Sequence, residues 1–198
     1  AARRIAPGDR FLDIGAGYGF FTRAAREAGF ECSALEPGRA TAAVFERMNG
    51  FRPQSTIFDD AFAADKEGAF DVVLLSQVLE HIPNPADAVR NLNRILRPGG
   101  VCVIAVPHFG SYLSKIQGKR DMFIVPPEHL NFFSKEGLRA LFEQQGFDQA
   151  EVYTVSRYDR NALRRKLKLR PVADAAYALL DLFLKTSDAR GRGTFINA

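Results

Sequence analysis

The chain has 198 residues, 46% of them hydrophobic and 25% charged, and a formal net charge of +4 at neutral pH. That length suits one domain with a sizeable core and is short for two, and the composition excludes disordered and fibrous classes. No apolar run approaches the ~20 residues that cross a bilayer, and Cys32 and Cys102, which lack metal-like spacing, read as core residues of a reducing, cytoplasmic compartment.

Apolar runs alternate with helical patterns in a βα rhythm, which predicts an α/β fold with a parallel sheet covered on both faces. Strands are expected near 10–14, 31–35, 55–58, 70–75, 100–106 and 148–155, and helices near 18–28, 39–48, 85–96 and 135–145. Val89, Leu92, Ile95 and Leu96 make a helical stripe that Arg97-Pro98-Gly99-Gly100 stops. Ser134 is placed to cap the helix carrying Leu138, Leu141 and Phe142, which Gly146 ends. Residues 107–133 form a long connection rich in Pro, Gly and apolar side chains, the usual composition of a lid or binding loop. In 157–170 seven cations face a single acid, Asp159, and an amphipathic helix follows with Val172, Ala176, Leu179, Phe183 and Leu184 on one stripe. Gly193-Thr194-Phe195-Ile196-Asn197 then reads as a last strand returning to the sheet.

Asp13-Ile14-Gly15-Ala16-Gly17-Tyr18-Gly19 stands between the first strand and the first helix. Its glycines let bare backbone turn tightly and approach a ligand, while the helix start offers free N–H groups to an anion. Gly19 follows Gly17 by two residues, whereas the dinucleotide fingerprint needs three, and Asp13 would repel a pyrophosphate. Both features disfavour a nicotinamide oxidoreductase. S-adenosylmethionine (SAM) meets both demands, with a carboxylate for the helix end and an ammonium and a sulfonium for the acid.

Leu12 to Phe21, Leu35-Glu36-Pro37, Asp60-Ala61, Phe70-Asp71-Val72-Val73 with Val78-Leu79-Glu80-His81-Ile82, and Leu96-Arg97-Pro98-Gly99-Gly100 together resemble the class I SAM-dependent methyltransferases, particularly the small-molecule type found in the ubiquinone pathway. The resemblance covers about residues 10 to 155. It implies a Rossmann-like, mostly parallel seven-stranded sheet with the last strand antiparallel, and it makes 156–191 a basic helical insertion. It implies SAM as cofactor, held by Asp13, Gly15, Gly17 and Gly19, by Glu36 on the ribose, by Asp60, Ala61 and Phe62 on the adenine, and by Ser76 and Gln77 at the methionine end. Asp59 competes with Asp60 for the adenine.

Methyl transfer needs in-line approach of acceptor, carbon and sulfur, and a base only when the acceptor must lose a proton. His129, in the Pro-Glu-His-Leu-Asn-Phe-Phe-Ser segment, and His81 are the candidate bases. Related quinone and small-RNA enzymes hold a divalent cation with acids and histidines at places similar to Gln77, Glu80, His81 and His129. Gln77 removes one anionic ligand, so no metal is assigned. The expected partner is a small-molecule acceptor methylated at O, N or C. RNA is ranked below it, peripheral contact with an anionic membrane stays open for the basic segment, and a catalytically silent SAM-binding protein is the remaining rival.

Overall fold

The computed structural model describes residues 5–121, 123–148, 150–156, 170–192 and 194–198. In chain order, β1 (Arg10–Ile14) leads to α1 (Phe20–Glu27), β2 (Glu31–Leu35) to α2 (Arg39–Asn49), and α3 (Asp60–Asp65) to β3 (Phe70–Ser76). A 3-10 turn (Leu79–His81), α4 (Pro85–Ile95), β4 (Leu96–Pro107) and α5 (Tyr112–Gln117) follow. After a second 3-10 turn (Gly118–Arg120) come α6 (Lys135–Gln144), β5 (Tyr153–Val155), α7 (Arg170–Ala189) and β6 (Phe195–Asn197). Among the described residues the strands form one sheet ordered β2-β1-β3-β4-β6-β5. β1 to β4 are parallel, and β6 runs antiparallel to both β4 and β5.

Six strands replace the expected seven. The segment 55–58 is not a strand: beside β2 only Gln54 bridges, to Leu35. Pro53 has no N–H to extend that ladder, and Ile57 faces solvent at 62% exposure. The expected strand 148–155 shortens to Tyr153–Val155, and two short helices, α3 and α5, occupy stretches read as connections. The basic run 157–170 lies outside the described residues except for Arg170, which opens α7.

Local chemistry explains the helix limits. Asp59, Asn84, Ser111 and Ser134 each accept a bond from a first-turn N–H, and Pro85 occupies the position where no N–H is missed. The helix α4 ends where Leu96 turns extended ahead of Pro98. Side chains then alternate across the sheet. Phe11, Val72 and Leu74 face Ala25 of α1, while Leu12, Ile14, Val73, Leu75 and Ile104 pack against α3, α4 and α6 through Ala63, Leu92 and Leu138.

At the amino ends of the strands Asp71 receives the Arg10 N–H at 2.7 Å and the Arg97 guanidinium, which also reaches Asp9 at 3.8 Å. These buried acids fasten one end of the sheet. At the other end the register aligns Ile14 with Leu35 and with Leu75, so the loops after β1, β2 and β3 lie side by side. The chain moves from β1 outward to β2 and then returns to the other flank of β1. Such a switch in strand order leaves the crevice in which open α/β sheets bind ligands.

Candidate active site

Backbone conformation builds the first half of the site. Gly15, Gly17 and Gly19 have φ of +67°, +57° and +79°, values that side-chain-bearing residues resist. Their surroundings differ. A Cβ on Gly15 would lie 2.5 Å from Val78 Cγ2, and one on Gly19 would meet Asn49 and the Phe45 ring at 2.5 Å, whereas nothing lies within 4 Å of one on Gly17. Gly15 and Gly19 therefore let the loop seat on β3's exit and on α2, and Gly17 alone opens onto free space.

Two buried acids flank this loop. Glu36 accepts the Gly17 N–H at 2.9 Å and the Gly38 N–H at 2.8 Å, which leaves the remaining lone pairs of its oxygens for a hydroxylated ligand. Asp13 accepts the Thr22 hydroxyl at 2.6 Å. Burial pushes the Asp13 carboxyl up to about 6, the Thr22 bonds oppose the rise, and Glu36 adds to it. Two acids that repel each other in a buried loop favour a cationic occupant.

The adenine-side residues are rearranged relative to the sequence reading. Asp59 caps α3 through the Phe62 N–H at 2.8 Å, and Asp60 is held by Asn91 at 2.7 Å and by Arg90 at 3.5 Å. Phe62 is a core residue packed edge-on to Phe58, at 6.0 Å between centroids. A ring anchored in the core is not presented for stacking, which corrects that expectation. Ala61 stays exposed at the start of α3. Ser76 ends β3, and Gln77 adopts a left-handed φ of +59°, its backbone N–H and its side-chain amide both bonding the Ala105 carbonyl at 2.8 and 3.1 Å. That twist throws Val78 onto Gly15.

The 3-10 turn after Val78 builds the second half of the site. Glu80 is 1% exposed, and its carbonyl accepts the Leu130 and Asn131 N–H groups at 2.9 and 3.1 Å. Asn131 also bonds the Ile82 carbonyl at 2.7 Å. These bonds dock the end of the 107–133 connection onto the turn and bring His129 against His81, with ring centroids 4.8 Å apart. His81 Nδ1 lies 2.7 Å from the Glu128 carbonyl, and His129 Nδ1 lies 2.7 Å from the Phe123 carbonyl. A carbonyl only accepts, so each Nδ1 carries a proton and each Nε2 faces away from that bond.

Sequence reasoning named both histidines as candidate bases and met Glu80 only through the cation pattern of related enzymes. One ligand atom from each of Glu80, His81 and His129 lies within 4.8 Å of the others. Among the described residues neither carboxylate oxygen of Glu80 has a hydrogen-bond partner. Burial raises the Glu80 pKa, and its own backbone N–H, His81 and His129 pull it back down. Two imidazoles held from behind and one orphaned carboxylate form a donor set that fits a divalent cation, with the backbone carbonyls fixing the rings. The Gln77 amide is turned to β4 instead. Phe109 and Phe132, exposed and 5.2 Å apart between ring centroids, border the same connection.

A family profile described as "Methyltransferase domain" matches residues 1–152. The chain is 31% identical over 153 residues to a ubiquinone biosynthesis O-methyltransferase of Caulobacter vibrioides, covering 71% of this chain and 60% of the relative. A protein of the same name from Aromatoleum aromaticum is 27% identical over 160 residues, covering 75% and 68%. Among solved structures, a SAM-dependent methyltransferase from Mesorhizobium loti superposes with a TM-score of 0.63 at 18% identity, covering 99% of this chain and 92% of that one. One from Archaeoglobus fulgidus gives 0.64 at 18% identity, covering 96% and 85%. No helix of the described residues is long and apolar enough to cross a membrane. With the switch-point crevice, the glycine loop and its acids in place, the chain belongs to the class I SAM-dependent methyltransferase family, with S-adenosylmethionine as its cofactor.

Proposed function

We propose that this protein transfers the methyl group of SAM to a hydroxyl oxygen of a small molecule, with the cofactor in the Asp13–Gly19 crevice and the acceptor beneath residues 107–133. The observation that carries the reading is the convergence of Glu80, His81 and His129 on the turn that also packs, through Val78, against the cofactor loop. The chain spans about 60% of the length of the Caulobacter relative, whose printed name agrees with an oxygen acceptor.

In this mechanism the acceptor oxygen attacks the methyl carbon in line with sulfur. The C–S bond breaks, its electron pair stays on sulfur, and neutral S-adenosylhomocysteine (SAH) leaves. The hydroxyl proton passes to Nε2 of His129, whose Nδ1–H is already committed to the Phe123 carbonyl. Glu80 supplies negative charge beside the imidazolium that forms. Asp13 and Glu36 hold the cationic cofactor, and Phe109 and Phe132 exclude water and take the apolar body of the acceptor. The 107–133 connection and α7 bound one domain's acceptor pocket.

A second reading is favoured by the orphaned Glu80 carboxylate: Glu80, His81 and His129 would hold a divalent cation, which supplies a Lewis acid that makes the acceptor hydroxyl easier to ionise. Labelled methyl transfer into a panel of phenols and catechols tests the proposal. His129→Ala is expected to lower kcat by about 100-fold while the SAH dissociation constant changes less than about threefold. Turnover unaffected by the substitution would remove His129 from the reaction.

A further inference from the structure

A second cleft, of about 390 Å³, opens between α6 and the 190–192 turn that follows α7. Lys135, Arg139, Arg190 and Arg192 line it, together with Glu136 and Glu143. Several surface cations elsewhere find carboxylates, as Arg23 does with Glu27, Arg90 with Asp87, Arg94 with Glu67 and Lys185 with Asp181. None of the four cations of the cleft forms an ion pair among the described residues, although two acids stand in its walls. Lys135 and Arg192 are also half-buried. Lys135 begins a helix, where the positive end of the dipole disfavours a cation. Four positive groups against two negative ones in a concave wall create a field that concentrates anions.

The cleft adjoins the acceptor side of the site. Arg192 donates to the Gly110 carbonyl at 3.4 Å, and its own carbonyl accepts the Tyr112 N–H at 3.2 Å. Gly110 follows Phe109, while Lys135 comes two residues after Phe133, which bridges to His108 at the end of β4. Cleft and acceptor loop thus share a wall.

We propose that this cleft is an anion subsite that takes the phosphate of a phosphate-bearing small molecule, gripped by the Arg139, Arg190 and Arg192 guanidinium groups with Lys135 as a point charge. The proposal rests on the reading that residues 107–133 face the acceptor, and it assigns the acceptor an anionic end. The ligand chemistry is a phosphate ester, and the experiment's arms separate a soluble source from a lipid headgroup.

Calorimetric titration of the whole protein with inorganic pyrophosphate at low salt tests it, with SAH titrated in the same preparation. The expected result is saturable pyrophosphate binding that weakens with added salt. That binding should be about tenfold weaker in the Arg139→Gln/Arg190→Gln double variant, whose exposed positions spare the fold, and SAH affinity should be unchanged. An Arg192→Gln variant should show the same selective loss. No heat with pyrophosphate, or equal affinity in parent and variants, overturns the proposal. So does binding to phosphatidate vesicles that pyrophosphate does not displace. Because SAH is read alongside, failure of the cofactor site and failure of this cleft are separate results.

Discussion

Gly19→Ala is expected to lower the melting temperature by roughly 10 °C, from a cost of about 3 kcal/mol. Two effects add. The new methyl would press on the Asn49 amide and on the Phe45 ring, a fully buried side chain that cannot swing away, and overpacking of this kind costs about 1–3 kcal/mol. The residue also holds φ at +79°, a conformation costing a further ~1–2 kcal/mol for a residue with a Cβ. Gly17→Ala is the control, since its φ is similar but a Cβ there meets nothing within 4 Å. Thermal unfolding followed by circular dichroism checks the pair. Equal melting temperatures for the two variants would show that the seat of Gly19 on α2 is not as tight as described.

Glu80→Gln is expected to reduce methyl transfer by about 100-fold or more and at the same time to stabilise the protein by about 1 kcal/mol. The opposite signs follow from the same burial. A carboxyl whose pKa in the folded state lies above its unfolded value favours folding while protonated, and that contribution is lost as pH rises through the raised pKa. Above that raised pKa the native state therefore holds a desolvated charge whose oxygens have no hydrogen-bond partner among the described residues. The amide removes that cost and with it the negative charge facing His81 and His129, whether the trio moves a proton or holds a cation. Activity and thermal melts on one preparation decide the matter. A variant that melts lower than the parent would make Glu80 a structural residue instead.

Much of this site could be read from the chain because strand-to-helix turns have a local grammar. Asp13, the glycines and Glu36 declare themselves by position, since β1 and β2 must end where their apolar runs end. Phe62 could not be read in that way. Its sequence neighbours match a cofactor-facing motif, but its ring belongs to the core against Phe58, and only packing shows it. The absent strand at 55–58 turns on Pro53 beside an edge, a tertiary circumstance that β propensity does not record. Glu80 was visible as a neighbour of His81, yet its isolation depends on bonds from Leu130 and Asn131, some 50 residues further on. Lys135 and Arg192 likewise meet only through the return of the chain after α7.

Placement of the cationic sulfur cofactor against Asp13 is tested most directly by calorimetry of SAM and of neutral-sulfur SAH between pH 5 and 7.5. The Asp13 carboxyl, raised to about 6, is ionised by the cation it binds, so SAM binding should release a proton below that pH. Its affinity should then rise several-fold as pH increases through about 6, with a smaller rise for SAH and none for SAM in Asp13→Asn. A SAM affinity independent of pH in the parent, or a pH profile unchanged in Asp13→Asn, would contradict the placement of the cofactor.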